Sequence, residues 1–278
     1  MLESYLTNGK QLNFEKAQVM AIINITPDSF YDGGKFSSTS DILRDAEMKI
    51  SEGATIIDLG AASSRPGANV ITTEEEINRL RKPLRELRAS FPHIFISVDT
   101  YRAEVAEFVI QSGADIINDI SGGNMDDNML GTIAKHNIPY ILMHMQGTPQ
   151  TMQQNPHYHN VTDEVETFFR DKIAVCERLG LDKLILDVGF GFGKTTEHNF
   201  SLLKNLHEFT KFGYPLLSGI SRKGMIGKVI NTSPVTSLTG TIVLNTLALQ
   251  NGTSILRVHD VKEAVQAVEL MKFYNQTL

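Results

Sequence analysis

Short apolar stretches recur along the whole chain and alternate with segments that have the spacing of amphipathic helices. Each stretch is rich in β-branched residues and ends on a polar or charged residue. Near-continuous apolarity of this kind is typical of strands that are covered on both faces of a parallel sheet. The pattern predicts strands at 19–26, 55–61, 94–100, 115–121, 140–145, 183–189, 215–221 and 254–260.

Glycines mark the ends of several helical segments that precede these strands. Gly53, Gly113, Gly180 and Gly252 each lie two to four residues before a strand, where a left-handed helix C-cap favours glycine. Eight units of helix, glycine and strand in about 250 residues fit a (β/α)8 barrel, whereas a doubly wound sheet of that length usually has fewer strands. We therefore predict an α/β fold consisting of a single (β/α)8 TIM-barrel domain over residues 1–278.

Composition and charge narrow the class of protein. The 278 residues are 41% hydrophobic and 21% charged, which is typical of a folded globular chain, and the formal net charge is −6 without a long block of one sign. We therefore expect binding neither to nucleic acid nor to membranes. The single cysteine, Cys176, and the lack of an apolar signal segment in the first 20 residues predict a cytoplasmic protein.

Polar residues at the predicted strand ends indicate where a site would lie. In a (β/α)8 barrel the catalytic face is built from the C-terminal ends of the strands and the loops that follow, here 28–40, 61–72 and 146–160. Packing alone does not require so many hydrogen-bonding groups on one rim, so their number predicts a polar ligand. These strand-end residues are Asn24, Asp58, Asp99, Asn118, Asp119, His144, Asp187, Ser221, Arg222, Lys223, Arg257 and His259.

Two parts of a ligand can be inferred from these residue types. Cations follow the seventh and eighth strands in Ser221-Arg222-Lys223 and Arg257-Val-His259, which is the usual phosphate-binding corner of barrel enzymes. The intervening strands end in carboxylates and an amide, which suit a neutral heterocycle with several N–H donors. We therefore expect a substrate that combines a flat nitrogen base with a phosphate or diphosphate.

Several motifs of the chain closely resemble those of the dihydropteroate synthase family of folate biosynthesis. They are Asn24-Ile-Thr-Pro-Asp-Ser-Phe-Tyr-Asp-Gly-Gly, Ser63-Ser-Arg-Pro-Gly, Asp187-Val-Gly-Phe-Gly-Phe-Gly-Lys, Ser221-Arg-Lys and Arg257-Val-His, in the family's order over about 19–260. The resemblance implies a transferase that joins 6-hydroxymethyl-7,8-dihydropterin diphosphate to p-aminobenzoate and releases diphosphate with help from Mg²⁺. It also implies a homodimer, for which the apolar segment 233–252 is suitable.

The resemblance also assigns roles to individual residues. The pterin positions fall on Asp99, Asn118, Asp187 and Lys223, with Met143 as a wall. The diphosphate positions fall on Asn24, Arg65, Arg257 and His259, and Asn24 with Asp32 would bind Mg²⁺. The p-aminobenzoate positions fall on Phe30, Ser64, Pro66, Phe192 and Gly224.

In the reaction that this resemblance implies, the C–O bond of the pterin methylene breaks ahead of attack, so stabilising the leaving diphosphate is the main task. The catalytic residues are then Asp99, Lys223, Arg257 and His259. Some positions depart from the common family pattern. They are Ala21, Ala62, Ser64, Val188 and Gly224.

Other interpretations of single motifs are weaker. A P-loop ending at Gly193-Lys194-Thr195 requires glycine at position 188, which is Val188. His157 and His159 lack a further metal ligand at a convincing spacing, which favours a solvated loop. Lys223 alone would also suit a Schiff-base aldolase. His144 is better explained by structure than by catalysis, and Asp58 is open between a structural and a direct role.

Two alternative functions use the same pterin positions. A pterin-binding methyltransferase would share Asp99, Asn118 and Asp187, but it has no reason to carry Arg65 and Arg257. A non-catalytic pterin-binding paralogue is favoured only by the departures at Ala62 and Gly224.

Overall fold

The structure is a computed structural model that describes residues 4–25, 38–62 and 70–277. Within these ranges eight parallel strands close into a barrel in chain order, and the last strand pairs with the first. The fold prediction is thereby confirmed. After an N-terminal hairpin, the barrel strands are β3 Gln18–Asn24, β4 Ile56–Gly60, β5 Phe95–Asp99, β6 Ile116–Asp119, β7 Tyr140–Met143, β8 Leu184–Asp187, β9 Leu216–Ser218 and β10 Ile255–Val258.

Helices surround the barrel and connect its strands. The segment between β9 and β10 holds two of them, separated by a short 3-10 turn at Pro234–Thr236. Another 3-10 segment, Leu206–Phe212, follows α6. The α-helices are α1 Thr39–Ser51, α2 Thr73–Ser90, α3 Ala103–Gln111, α4 Met129–His136, α5 Val161–Arg178, α6 Thr196–Lys204, α7 Gly224–Ile230, α8 Leu238–Gln250 and α9 Val261–Gln276.

The predicted glycine caps are present at the helix ends. Gly53 has φ of +104°, and a Cβ there would lie only 3.1 Å from the Val265 side chain, so any other residue would be both strained and crowded. Gly113, Gly180 and Gly252 also have positive φ. The helix, glycine and strand unit is therefore a real repeat of the fold.

A short N-terminal hairpin covers the lower end of the barrel, and the sequence pattern did not predict it. Strands β1 (Tyr5–Thr7) and β2 (Lys10–Leu12) pair antiparallel. The Tyr5 hydroxyl donates to the carbonyl of Leu184 at 2.6 Å, and Lys10 Nζ lies 2.6 Å from Asp115 Oδ2. Three-residue strands carry too little periodicity to be recognised in a sequence.

Alternate residues of each barrel strand face the interior, and the interior changes character along its length. The lower half is an apolar cluster formed with the hairpin residues Tyr5, Leu12 and Phe14. Two residues further along the strands the interior becomes polar, and this upper half lies at the strands' C-terminal ends. The lower cluster contributes Met20, Ile56, Ile116, Ile141, Ile185, Leu217 and Ile255 from the strands.

A second and larger apolar core lies between the barrel and the helices. Cys176 belongs to this core and is fully buried, and burial raises its thiol pKa to about 11, as expected for a packing role. Among the described residues, none of the helices combines the length and apolarity needed to cross a membrane.

Candidate functional site

The upper half of the barrel interior brings together polar side chains from several strands. Asp58 lies on β4, Asp99 on β5, Asn118 on β6, Asp187 on β8 and Arg257 on β10. Register pairing places Asp99 beside Asn118 and Met143 beside Asp187, so a polar rim is combined with one apolar wall. The structure thus brings predicted strand-end residues together in one polar region at the C-terminal end of the barrel, which we call the pocket.

Arg257 lies between two carboxylates. Its Nε donates to Asp58 Oδ2 at 2.7 Å, and its Nη2 donates to Asp99 Oδ2 at 3.2 Å. These contacts use only some of the five N–H donors of the guanidinium. Burial raises the pKa of Asp99 to about 7, although the charge of Arg257 acts in the opposite direction.

Asp58, whose role the sequence analysis left open between structural and direct, lies among these polar side chains. Its side chain is fully buried, and Oδ2 also accepts from Asn118 Nδ2 at 3.2 Å. The sequence did contain a signal for an inward-facing Asp58, because alternate residues of a strand point to the same side and Asp58 alternates with Ile56 and Gly60.

Lys223 approaches the pocket from the end of β9. Its Nζ donates to the Phe190 carbonyl and lies 4.7 Å from the centre of the Phe192 ring. Burial lowers its pKa to about 8, and the nearby Asp187 carboxylate opposes that shift. Asp187 Oδ1 accepts from the backbone N–H of Gly189 at 2.8 Å. The predicted partners Asp187, Lys223 and Phe192 therefore lie around one wall of the pocket.

The glycine-rich segment after β8 packs tightly on the segment after β7. A Cβ at Gly189 would lie 1.9 Å from the His144 carbonyl oxygen, so only glycine fits there. The buried Lys194 Nζ donates to the Phe192 carbonyl at 3.0 Å and lies 3.0 Å from His144 Nδ1. Burial lowers the pKa of His144 to about 2, so His144 is a neutral structural residue, as the sequence favoured.

The cationic corner differs from its sequence-based description. Arg222 binds both carboxylate oxygens of Asp260, with Nε 2.7 Å from Oδ2, so its charge serves the structure. Burial, together with the charge of Arg257, lowers the pKa of His259 to about 3. His259 is therefore neutral at pH 7 and offers a hydrogen bond instead of the expected positive charge. Its backbone N–H and its Nδ1 both contact the Ser221 hydroxyl, at 3.2 and 3.1 Å.

The remaining predicted residues lie at the rim or outside the described residues. Asn24 ends β3, and a Cβ at Gly60 would lie 3.3 Å from Asn24 Oδ1, so the glycine makes room for that side chain. Gly224 is exposed at the start of α7. His157 and His159 are exposed, and no group of three candidate metal-binding side chains occurs among the residues described. The predicted residues outside the described ranges are Phe30, Asp32, Ser64, Arg65 and Pro66.

Comparison with known proteins agrees with this geometry. The sequence matches the family described as pterin binding enzyme over residues 20–259. Dihydropteroate synthase of Escherichia coli (strain K12) is 45% identical over 266 residues, which cover 95% of this chain and 94% of that protein.

Solved structures give the same result over almost the whole chain. Dihydropteroate synthase of Yersinia pestis with a sulfonamide drug has a TM-score of 0.95 at 39% identity, covering 99% of this chain and 100% of that one. The Xanthomonas albilineans enzyme in complex with 7,8-dihydropteroate has a TM-score of 0.88 at 33% identity, with 99% and 100% covered. The chain belongs to the dihydropteroate synthase family of pterin-binding enzymes.

Proposed function

We propose that the upper pocket binds 6-hydroxymethyl-7,8-dihydropterin diphosphate and joins it to p-aminobenzoate, so that 7,8-dihydropteroate forms and diphosphate leaves. The observation that carries this proposal is the convergence of Asp99, Asn118, Asp187 and Lys223 beside the guanidinium of Arg257. Full-length similarity to dihydropteroate synthases supports it.

The pterin ring is the part of the substrate that the buried polar groups recognise. Asp187 and Asn118 are almost fully buried, and besides the contact of Asp187 with the Gly189 N–H their oxygens can accept further N–H groups, which a pterin supplies on its amino group and ring nitrogens. Lys223 faces the same space and can donate to a ring acceptor. The side chain of Met143, also buried, forms an apolar wall for the flat ring.

The diphosphate lies at the Arg257 corner in this proposal. Arg257 has N–H donors left over from its contacts with Asp58 and Asp99, and a guanidinium matches phosphate oxygens in charge and geometry. His259, neutral before binding, donates a hydrogen bond. Arg65, on the second loop, is the further cation that the family resemblance assigns to this end.

Mg²⁺ is compatible with the residues present. This ion prefers hard oxygen ligands, takes few of them from the protein and binds substrate phosphates. The amide oxygen of Asn24 at the pocket rim meets that requirement, and the family resemblance adds Asp32 as the second ligand. When bound, Mg²⁺ would neutralise part of the diphosphate charge.

The chemical step needs no covalent intermediate with the protein. The C–O bond between the pterin methylene and the diphosphate breaks, and the bonding electrons leave with the diphosphate. The amine of p-aminobenzoate then attacks the methylene cation and loses a proton. Asp99 stabilises the cationic pterin by its charge, while Arg257 stabilises the leaving group. Phe192 and the N–H groups at Gly224 would hold p-aminobenzoate.

We also propose a cytoplasmic homodimer. Neighbouring elements α7, the turn at Pro234–Thr236, α8 and α9 expose large apolar side chains. The exposed apolar side chains are Val229, Ile230, Val235, Val243, Leu247, Leu270, Phe273 and Tyr274. Light scattering should give twice the single-chain mass.

The test of the proposed activity is an assay of diphosphate release from the pterin diphosphate, run with and without p-aminobenzoate. We expect release that depends on p-aminobenzoate and product that contains both ring systems. Release without incorporation of p-aminobenzoate, or no release by folded protein that binds pterin, would instead favour a different pterin-binding function.

A further inference from the structure

Asp58 occupies a position in the barrel that packing alone does not explain. Its side chain has no solvent exposure, and it lies in the interior, one inward-facing position above the apolar residue Ile56. A buried carboxylate is costly unless it is paired and hydrogen-bonded. Asp58 Oδ2 has two donors, whereas Oδ1 has no hydrogen-bond partner among the described residues. The contacts of Asp58 are therefore concentrated on one oxygen.

The two donors to Asp58 come from opposite ends of the proposed substrate site. Arg257 Nε, 2.7 Å away, belongs to the diphosphate corner, and Asn118 Nδ2, 3.2 Å away, belongs to the pterin pocket. One carboxylate oxygen therefore holds a side chain from each end. The two ligand-binding groups are fixed relative to each other through a single atom.

Each contact also selects an orientation. A carboxylate only accepts, so Asp58 requires the amino group of Asn118 to face it and leaves the amide oxygen to accept an N–H of the pterin. A hydrogen bond to Nε fixes the plane of the Arg257 guanidinium, and beside the contact of Nη2 with Asp99 it leaves the other terminal N–H groups for the phosphate oxygens. Residues that orient ligand-binding groups in this way commonly change affinity or activity by about 10- to 100-fold when they are replaced.

We propose that Asp58 is a positioning residue that holds Arg257 and Asn118 at a fixed separation and orientation, matched to the two ends of the pterin diphosphate. The inference rests on the proposed function, because it assumes that Arg257 binds the diphosphate and Asn118 the pterin. It predicts that replacing Asp58 changes the kinetic constants for the pterin substrate and not those for p-aminobenzoate.

The first test is Asp58→Asn, whose amide matches the aspartate in shape but can turn a donor toward Arg257 or Asn118. We expect kcat/KM for the pterin diphosphate to fall roughly 10- to 100-fold, while KM for p-aminobenzoate stays within about twofold. The matched control is Asp115→Asn, another fully buried aspartate paired with an arginine, at the opposite end of the barrel. It should lose stability but keep both kinetic constants.

A double-mutant cycle separates positioning from a general structural role. Lysine at position 257 keeps the charge but has no Nε to be held, so Arg257→Lys should lower kcat/KM for the pterin diphosphate by about tenfold or more. Because the lysine variant has no Nε for Asp58 to hold, adding Asp58→Asn to Arg257→Lys should cost clearly less than Asp58→Asn costs alone, and the remaining cost is the part exerted through Asn118. Multiplying effects would overturn the proposal.

Two further outcomes would also overturn the proposal. One is normal pterin kinetics in folded Asp58→Asn. If Asp58→Asn does not fold, the test rests on Arg257→Lys alone. Near-normal activity of that variant would show that the hydrogen bond from Arg257 Nε to Asp58 is unnecessary. Failure of the proposed function would look different, because the unmodified protein would then show no release of diphosphate that depends on p-aminobenzoate.

Discussion

The lower and upper halves of the barrel interior are built from the same strands but differ in chemistry and in role. In the lower half, Ile56 on β4 and Ile116 on β6 pack against the hairpin and are fully buried. Two residues further along these strands, Asp58 and Asn118 are also buried, yet both are polar. The step from one inward-facing position to the next therefore changes the interior from a packed core to a binding site.

A pair of buried aspartates makes the difference concrete. Asp115, at the lower end, has both carboxylate oxygens occupied, by Asn8 Nδ2 at 2.9 Å and by Lys10, Arg88 and the Ile96 N–H. Asp58, at the upper end, has one oxygen without a partner in the described part of the chain. The carboxylate of the lower cluster is fully paired, whereas in the upper cluster Arg257 keeps N–H donors beyond its contacts with Asp58 and Asp99.

The largest effect on stability is expected at the lower end. Asp115→Ala leaves Lys10 and Arg88 without their carboxylate and should reduce the free energy of unfolding by about 3 to 4 kcal/mol, the lower part of the range for buried pairs, because both cations keep some solvent contact. Urea denaturation measures this loss. The kinetic constants of the folded enzyme should not change, and a change in them would contradict the division into halves.

At the upper end, the largest expected effect is on catalysis. Arg257→Ala removes a charge-assisted contact to the diphosphate, so kcat/KM for the pterin diphosphate should fall by a factor of about 10² or more, equivalent to about 3 kcal/mol. Steady-state kinetics at fixed p-aminobenzoate measure it. Circular dichroism must show that the variant is folded, and nearly normal turnover in the folded protein would remove the phosphate assignment.

In the upper half, the charge of Asp99 should affect how kcat/KM depends on pH. Asp99 has a pKa of about 7 in the ligand-free enzyme, raised by burial, so its anion is lost as the pH falls through that value. If the anion is required, kcat/KM for the pterin diphosphate should fall about tenfold for each pH unit below this pKa.

The control for this pH effect is Asp99→Asn, which stays neutral at every pH. It should remove the acid limb and should depress kcat more than it weakens pterin binding. An acid limb that persists in this variant would assign the titration to another group.

The smallest effect is expected at the exposed rim. A Cβ at Gly224 would meet nothing within 4 Å, so Gly224→Ser is free of clashes. The added hydroxyl can bond to the carboxylate of p-aminobenzoate, a contact that contributes about 1 kcal/mol, so KM for p-aminobenzoate should fall several-fold. Gly224→Ala is the matched control without the hydroxyl. An unchanged or raised KM in the serine variant would show that the carboxylate binds elsewhere.

The sequence predicted the barrel because strand periodicity and glycine caps are local signals that repeat along the chain. It also placed Asp99, Asn118, Asp187 and Lys223 at one rim, because a barrel brings all strand ends together. Two details of the cationic corner were different. The charge of Arg222 is taken by Asp260, a partner that only the folded backbone brings near, and His259 is neutral because burial is not visible in a sequence.

Asp58 shows a further limit of prediction from sequence. Its inward parity could be inferred from Ile56 and Gly60, but its two partners lie on β6 and β10, far apart along the chain. A choice between a structural and a functional role depends on which side chains Asp58 contacts, and that is a property of the three-dimensional structure. The hairpin was missed for the opposite reason, because its strands are too short to show a pattern.

The hairpin also sets the order in which this chain can complete its fold. Residues 5–12 are synthesised well before their partners, because Tyr5 binds the carbonyl of Leu184, 179 residues later, and Lys10 binds Asp115. Until β8 has been made, the contact of Tyr5 cannot form, and the floor of the barrel stays incomplete. Sealing of the barrel floor is therefore a late event with high contact order, and nascent chains that end before β8 should aggregate more readily than the finished protein.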